Sequence, residues 1–167
     1  MSKIERISVF CAIMCLASFF AAYKAGYRIN ITPSVPIGVW RIGGEPRKGG
    51  YVAVAASEHA GYRLAVERQY LSDTRPMLKL FAAAEGDVVS YDTQGKAVTV
   101  NENYISMTEI FERDTEGRPL PSAAFPLRLE AGQGWVSSEN IHGYDSRYFG
   151  PVSRDLLESA VAGGLFF

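Results

Sequence analysis

Hydrophobic and polar positions change rhythm once along this chain, near residue 24. From Ile7 to Tyr23 ("ISVFCAIMCLASFFAAY") no charged side chain interrupts the apolar run, and its seventeen residues reach the short end of the roughly 17–25 that cross a bilayer as a helix. Tyr23 stands where an interfacial aromatic anchor is expected. A buried core helix or a removable signal segment has the same pattern, but Phe20 before Ala21 and Ala22 spoils a small-x-small cleavage site. The expectation is an uncleaved anchor over residues 1–25, followed by one domain over 26–167.

After the anchor the period shortens to that of strands. "GVWRIG", "YVAVAA", "MLKLFAAA", "DVVSYD" and "AVTVNENYI" are short apolar or alternating runs broken by Gly, Pro, Asp and Asn. "GEPRKGG" (44–50) and "DTQGK" (92–96) read as turns. One stretch, "SEHAGYRLAVERQYL" (57–71), predicts a helix, with Ser57 as its N-cap. Residues 108–130 are rich in charge, contain three prolines and read as an insertion or cap rather than core strands. The predicted fold is mainly β, a coiled antiparallel sheet or partly open barrel behind one N-terminal transmembrane helix.

Charge narrows the function classes. The chain has 17 basic and 18 acidic side chains; residues 1–24 hold three basic and one acidic, which leaves 14 against 17 beyond them. That balance has no electrostatic footprint for nucleic acid. Basic residues flank the apolar run almost evenly, Lys3 and Arg6 before it and Lys24 and Arg28 after it; only the terminal amine tips the N-terminus inward and the domain outward. Cys11 and Cys15, the two cysteines, lie within the run one helical turn apart and serve as small apolar residues. Metal or nucleotide cofactors have no supporting motif.

Chemistry has few places to reside. In "NITPSVPIGVW" (30–40), Ser34 lies between Pro33 and Pro36, which restrict the loop and would aim a side chain or equally build a structural turn. A serine hydroxyl needs a base. Of the two histidines, His59 falls on the predicted helix as a solvated residue, and His142 lies in "ENIHGYDSR" near Asp145. Lys79 is the one lysine inside an apolar run; on a strand it points opposite to Leu78 and Leu80, into solvent or into a cleft. In a dry cleft, desolvation can lower a lysine pKa by up to roughly 3–5 units. Asp145 and Arg147, two apart, would share one side of a strand and pair.

The order of these pieces is more specific than any of them. An apolar anchor, the pattern Asn30-x-Thr32-x-Ser34-x-Pro36-x-Gly38-x-Trp40, then Lys79 ahead of "AAAEGDVV", then "DSRYFG" resembles the type I signal peptidase family over nearly the whole chain. The likeness is strongest to its conjugative-transfer, TraF-type branch. The resemblance implies Ser34 as acyl-forming nucleophile and Lys79 as general base and later acid. It implies an oxyanion held by the Ser34 N–H and the Thr32 hydroxyl, each such donor worth about 10²–10³ in rate. Asn30, Pro36, Gly38 and Arg147 would support the site, and Asp145 would act in or beside it. Three positions depart from the pattern: Leu80 where a basic residue is common, Glu85 where proline is, and Gly143 where relatives carry a serine that orients the lysine.

The implied activity is endoproteolysis of an exported or membrane-bound precursor, a pilin or another transfer-apparatus subunit, at the periplasmic face of a bacterial inner membrane. Some relatives close the product into a ring instead of hydrolysing it. Tyr23 and Ser34 are eleven residues apart, at most about 36–40 Å of chain, so the lipid bilayer would stay within reach of the nucleophile. Two other readings keep parts of this pattern. A non-catalytic, membrane-anchored scaffold of a secretion or pilus assembly needs neither Ser34 nor Lys79. A self-cleaving repressor would need a helix-turn-helix domain where this chain has the apolar run.

Overall fold

The computed structural model describes residues 2–54, 59–72, 75–105 and 109–166. Helix α1 (Lys3–Lys24) starts at a capping box: the Ser2 hydroxyl accepts from the Glu5 N–H, and the Glu5 carboxylate accepts from the Ser2 N–H. It buries none of its residues. Long apolar side chains, Phe10, Ile13, Leu16 and Phe19 among them, stand exposed along it. In water that is unfavourable; in a hydrocarbon layer it is the preferred state.

Beyond α1 come the strands, and all pairings are antiparallel. Strands β1 (Tyr27–Asn30), β2 (Gly38–Ile42), β3 (Tyr51–Val54) and β4 (Met77–Ala84) are followed by β5 (Val88–Asp92), β6 (Ala97–Val100), β7 (Asn103–Tyr104) and β8 (Leu127–Arg128). Then come β9 (Gln133–Ser137), β10 (Val152–Ser153) and β11 (Leu157–Phe166). Seven form a sheet in the order β1-β2-β11-β3-β4-β9-β10, and four form a second sheet, β7-β6-β5-β8. The larger sheet curls into a half-barrel. Strand β4 bends at a register shift between Phe81 and Ala83, and its side chains serve three apolar clusters: Met77 and Phe81 in the first, Ala82 and Ala83 in the second, Leu78 in the third. This sharing explains why "MLKLFAAA" is apolar almost throughout instead of alternating.

Local detail departs from the sequence reading at four places. Helix α2 spans Ala60–Glu67, shorter than 57–71, because His59 is its N-cap: Nδ1 accepts from the Gly61 N–H at 3.1 Å. The expected cap, Ser57, lies outside the described residues. His59 is not a solvated residue either, since its ring packs edge-on against Phe149 and its Nε2 lies 3.3 Å from the Pro151 carbonyl. The stretch read as an insertion over 108–130 divides: Leu127–Arg128 is core strand β8, pairing with β5, and Leu129 is buried. Asp145 and Arg147 are not strand neighbours, because Asp145 caps the short helix α3 (Ser146–Phe149) by accepting from the Arg147 N–H at 3.0 Å. An aspartate at an N-cap satisfies an otherwise orphaned donor, a stronger local preference than extension.

Candidate active site

The serine loop is built by Asn30, the last residue of β1. Its side-chain NH₂ donates to the carbonyls of Thr32 (2.8 Å), Val35 (3.1 Å) and Pro36 (3.2 Å), and its Oδ1 accepts from the Thr32 N–H (3.1 Å) and hydroxyl (2.9 Å). Trp40 Nε1 adds a bond to the Pro36 carbonyl at 3.0 Å. Gly38 pairs with Asn30 across the β1–β2 ladder and closes the loop. Val35 is driven into the cluster of Trp40, Ala53, Leu78 and Ala160. With Val35 turned inward and Pro33 and Pro36 restricting the chain, Ser34 is presented to the opposite side. The motif residues make one small machine for holding one hydroxyl.

Lys79 meets it. On β4, Lys79 projects into the concave side of the sheet, and its Nζ lies 3.0 Å from Ser34 Oγ. It is 3% exposed. Desolvation lowers its pKa from the usual 10.5 to about 8; Asp145 pulls it upward and Arg147 pushes it down. Of the two faces its strand position allowed, the structure places it in the cleft.

Asp145 and Arg147 are both fully buried and paired, Nε to Oδ1 at 2.8 Å and Nη2 to Oδ2 at 3.0 Å. Asp145 Oδ2 also accepts from the Ser138 N–H at 2.7 Å. The carboxylate is satisfied without a cation at position 80, where Leu80 packs against the second apolar cluster. Arg147 then reaches the carbonyls of Glu109 (2.6 Å), Ile141 (3.0 Å) and Gly143 (2.6 Å). Neither residue touches Ser34 or Lys79 by a hydrogen bond.

A cleft of about 470 Å³ opens beside Ser34 and Lys79, walled by Leu71, Leu78, Phe111 and Tyr144 among others. Part of its wall, from Phe111 to Leu120, comes from the segment before β8. His142 lies on this rim with its ring stacked on Phe111 at 5.1 Å, away from the Lys79–Ser34 pair in role: its N–H is held by Asn140 Oδ1. The Ser34 N–H has no acceptor among the described residues, and so is free for a ligand oxygen. The Thr32 hydroxyl, the second expected donor, gives its proton to Asn30 Oδ1 and has to rotate to serve there.

The residue that sequence reasoning missed is Ser138. It follows the last residue of β9, is 1% exposed, and sits between Asp145 and the Ser34 carbonyl. Nothing local marks it in "VSSENI"; only the sheet register brings it here.

The antiparallel half-barrel behind an apolar helix has a counterpart at the family level. Residues 2–163 match the model of the family described as signal peptidase, peptidase S26. The chain belongs to the S26 signal peptidase family. A plasmid transfer protein TraF of Escherichia coli is 32% identical over an alignment of 174 residues, covering 96% of this chain and 97% of that protein. A probable conjugal transfer protein TraF of Sinorhizobium fredii is 32% identical over 141 residues, covering 79% and 73%. A conjugal transfer protein TraF of Agrobacterium fabrum is 30% identical over 136 residues, 76% and 75%. The S26 chain described here thus lies beside the TraF proteins, as its serine and "DSRYFG" motifs suggested.

Proposed function

We propose that this S26 chain is a membrane-anchored serine–lysine endopeptidase that trims exported precursors, pilin-type or transfer-apparatus subunits of a conjugation system, at the periplasmic face of the inner membrane. The observation that carries the reading is the 3.0 Å contact between Lys79 Nζ and Ser34 Oγ at a lysine desolvated to a pKa of about 8. Relatives named for plasmid and conjugal transfer supply the biological setting.

In the reaction, neutral Lys79 takes the proton of Ser34 Oγ as that oxygen attacks the scissile carbonyl. The developing oxyanion is held by the Ser34 N–H, with Thr32 as second donor after it leaves Asn30. Lys79, now an ammonium, protonates the departing amine, and an ester of Ser34 remains. Water, or the substrate's own amine in a ring closure, attacks that ester with Lys79 again accepting the proton. The substrate strand has an edge to use: pairing of β4 with β9 starts at Leu80↔Ser137, whereas β3 pairs with β4 from Met77. The β9-side edge of Met77–Lys79 therefore lies beyond that ladder and borders the cleft, where an extended peptide can add as a strand.

Exposed apolar side chains continue past α1 onto the domain, with Tyr27, Ile29, Ile31 and Val161 near the helix end. They favour a domain seated against lipid, with the cleft beside the membrane that presents the precursor.

The test is the intact mass of a co-expressed pilin-type precursor made with wild-type protein or with Ser34→Ala. Trimming by the wild type and an uncut precursor with the variant is the expected outcome; a product lighter by one further water establishes ring closure. Identical maturation with both across the exported candidates transfers the assignment to a scaffold.

A further inference from the structure

We infer that Ser138 is a positioning residue for Ser34, and that position 143 is glycine because Ser138 occupies the space its side chain would need. The inference rests on the serine–lysine reading above. Ser138 stands one residue beyond the Leu80↔Ser137 couple, next to Lys79 in register. Its N–H donates to Asp145 Oδ2 at 2.7 Å, and its hydroxyl lies 3.4 Å from the Ser34 carbonyl while accepting from the Asn140 N–H at 3.2 Å. The following N–H, of Glu139, donates to the same Ser34 carbonyl at 2.9 Å. Two donors from one turn thus clamp the carbonyl side of the nucleophile and leave its N–H side open.

The clamp is tied to the buried charges. Arg147 holds Asp145, Asp145 holds Ser138, and Ser138 and Glu139 hold Ser34. This chain of contacts gives Asp145 a route to the nucleophile although it touches neither Ser34 nor Lys79 by a hydrogen bond. A Cβ at position 143 would lie 2.0 Å from Ser138 Oγ, 2.3 Å from Ser138 Cβ and 2.9 Å from the Asn140 carbonyl oxygen. Gly143 does not have the positive φ found at ten other glycines of the described chain, so space and not backbone conformation requires it. Positions 138 and 143 compete for one volume, and only one of them can carry a side chain there.

The experiment uses the full-length protein in detergent micelles and a synthetic peptide spanning the cleavage site mapped on the precursor. Ser138→Ala is expected to lower kcat by about 10- to 100-fold, as misplacement of a reacting group does. KM should stay within about twofold, the melting temperature unchanged, and the pH midpoint of the rate where the wild type has it. The exchange Ser138→Gly with Gly143→Ser, which offers the hydroxyl from the loop before α3 once the Asn140 carbonyl gives by a few tenths of an ångström, is expected to recover about tenfold or more over Ser138→Gly alone. Wild-type kcat in Ser138→Ala, or a loss confined to KM, overturns the inference. So does a folded exchange variant no faster than Ser138→Gly. Ser34→Ala, run alongside, separates the two levels: if it cleaves as the wild type does, the serine–lysine reading itself falls, and this inference with it.

Discussion

In the serine–lysine mechanism proposed above, Lys79 carries the pH behaviour of the site. A base must be neutral to accept the serine proton, and with a pKa near 8 about a tenth of the molecules have it neutral at pH 7. kcat/KM should therefore rise with pH and level off above a midpoint of about 8, measured on the mapped cleavage peptide. Asp145 raises that pKa and Arg147 lowers it. Asp145→Asn removes the raising partner and should move the midpoint to lower pH, whatever it does to the plateau. Stability follows the same proton. Below about 8 both folded and unfolded chains bind it; between about 8 and 10.5 only the unfolded chain does, so unfolding free energy climbs with pH across that window. Lys79→Met should abolish cleavage and flatten this slope in denaturant titrations run at several pH values.

Among the elements, α3 organises more than its four residues suggest. Arg147 is wholly buried. Its side chain fastens the carbonyl of Glu109, and its main-chain carbonyl accepts from the Ala123 N–H at 2.8 Å. Both ends of the stretch that walls the cleft are thus tied to one helical turn. Asp114, inside that stretch, is held by Tyr70, Arg118 and Arg68. Burial works against its charge, yet hydrogen bonds from the Tyr70 hydroxyl, the Arg118 side chain and N–H and the Glu116 N–H keep its carboxyl well below the usual range. Arg147→Lys keeps the charge and loses the planar fork. Leaving Asp145 under-paired in the interior should cost about 3–5 kcal/mol, read from the denaturant midpoint, with new protease cuts between residues 109 and 123.

For the whole molecule, the apolar helix meets the domain at its last turn, where the Tyr23 carbonyl accepts from Arg28 Nη1 at 2.8 Å and the Arg28 guanidinium lies over the Tyr23 ring. α1 buries nothing, so removing residues 2–24 should leave the melting temperature of the domain within about 2 °C, since surface changes of this kind cost little. The same deletion should release the protein from carbonate-washed membranes. A truncated protein that still pelleted with membranes would show that Tyr27, Ile29, Ile31 and Val161 hold it there without α1.

How much of this was legible depends on how local each cause is. The N-terminal apolar helix, the β-rich domain and the serine loop could be read because an uninterrupted apolar run, period-two strands and prolines on both sides of Ser34 act within a few residues. Asp145 and Arg147 were paired correctly but on the wrong element, since an N-cap and a strand place residues i and i+2 together by different geometries. Alternation along β4 put Lys79 on one of two faces and could not choose between them. The curl of the sheet made that choice: it turned the lysine inward, stripped its water and set it 3.0 Å from Ser34. Ser138 had no local signal of its place in the site, because the site partners it joins lie 104 residues before it and 7 after it. The sequence by itself determined which side chains were available and which segments would be strands. Only the tertiary structure decided which of them share a dry cleft, because desolvation and register are properties of packed neighbours and not of a chain.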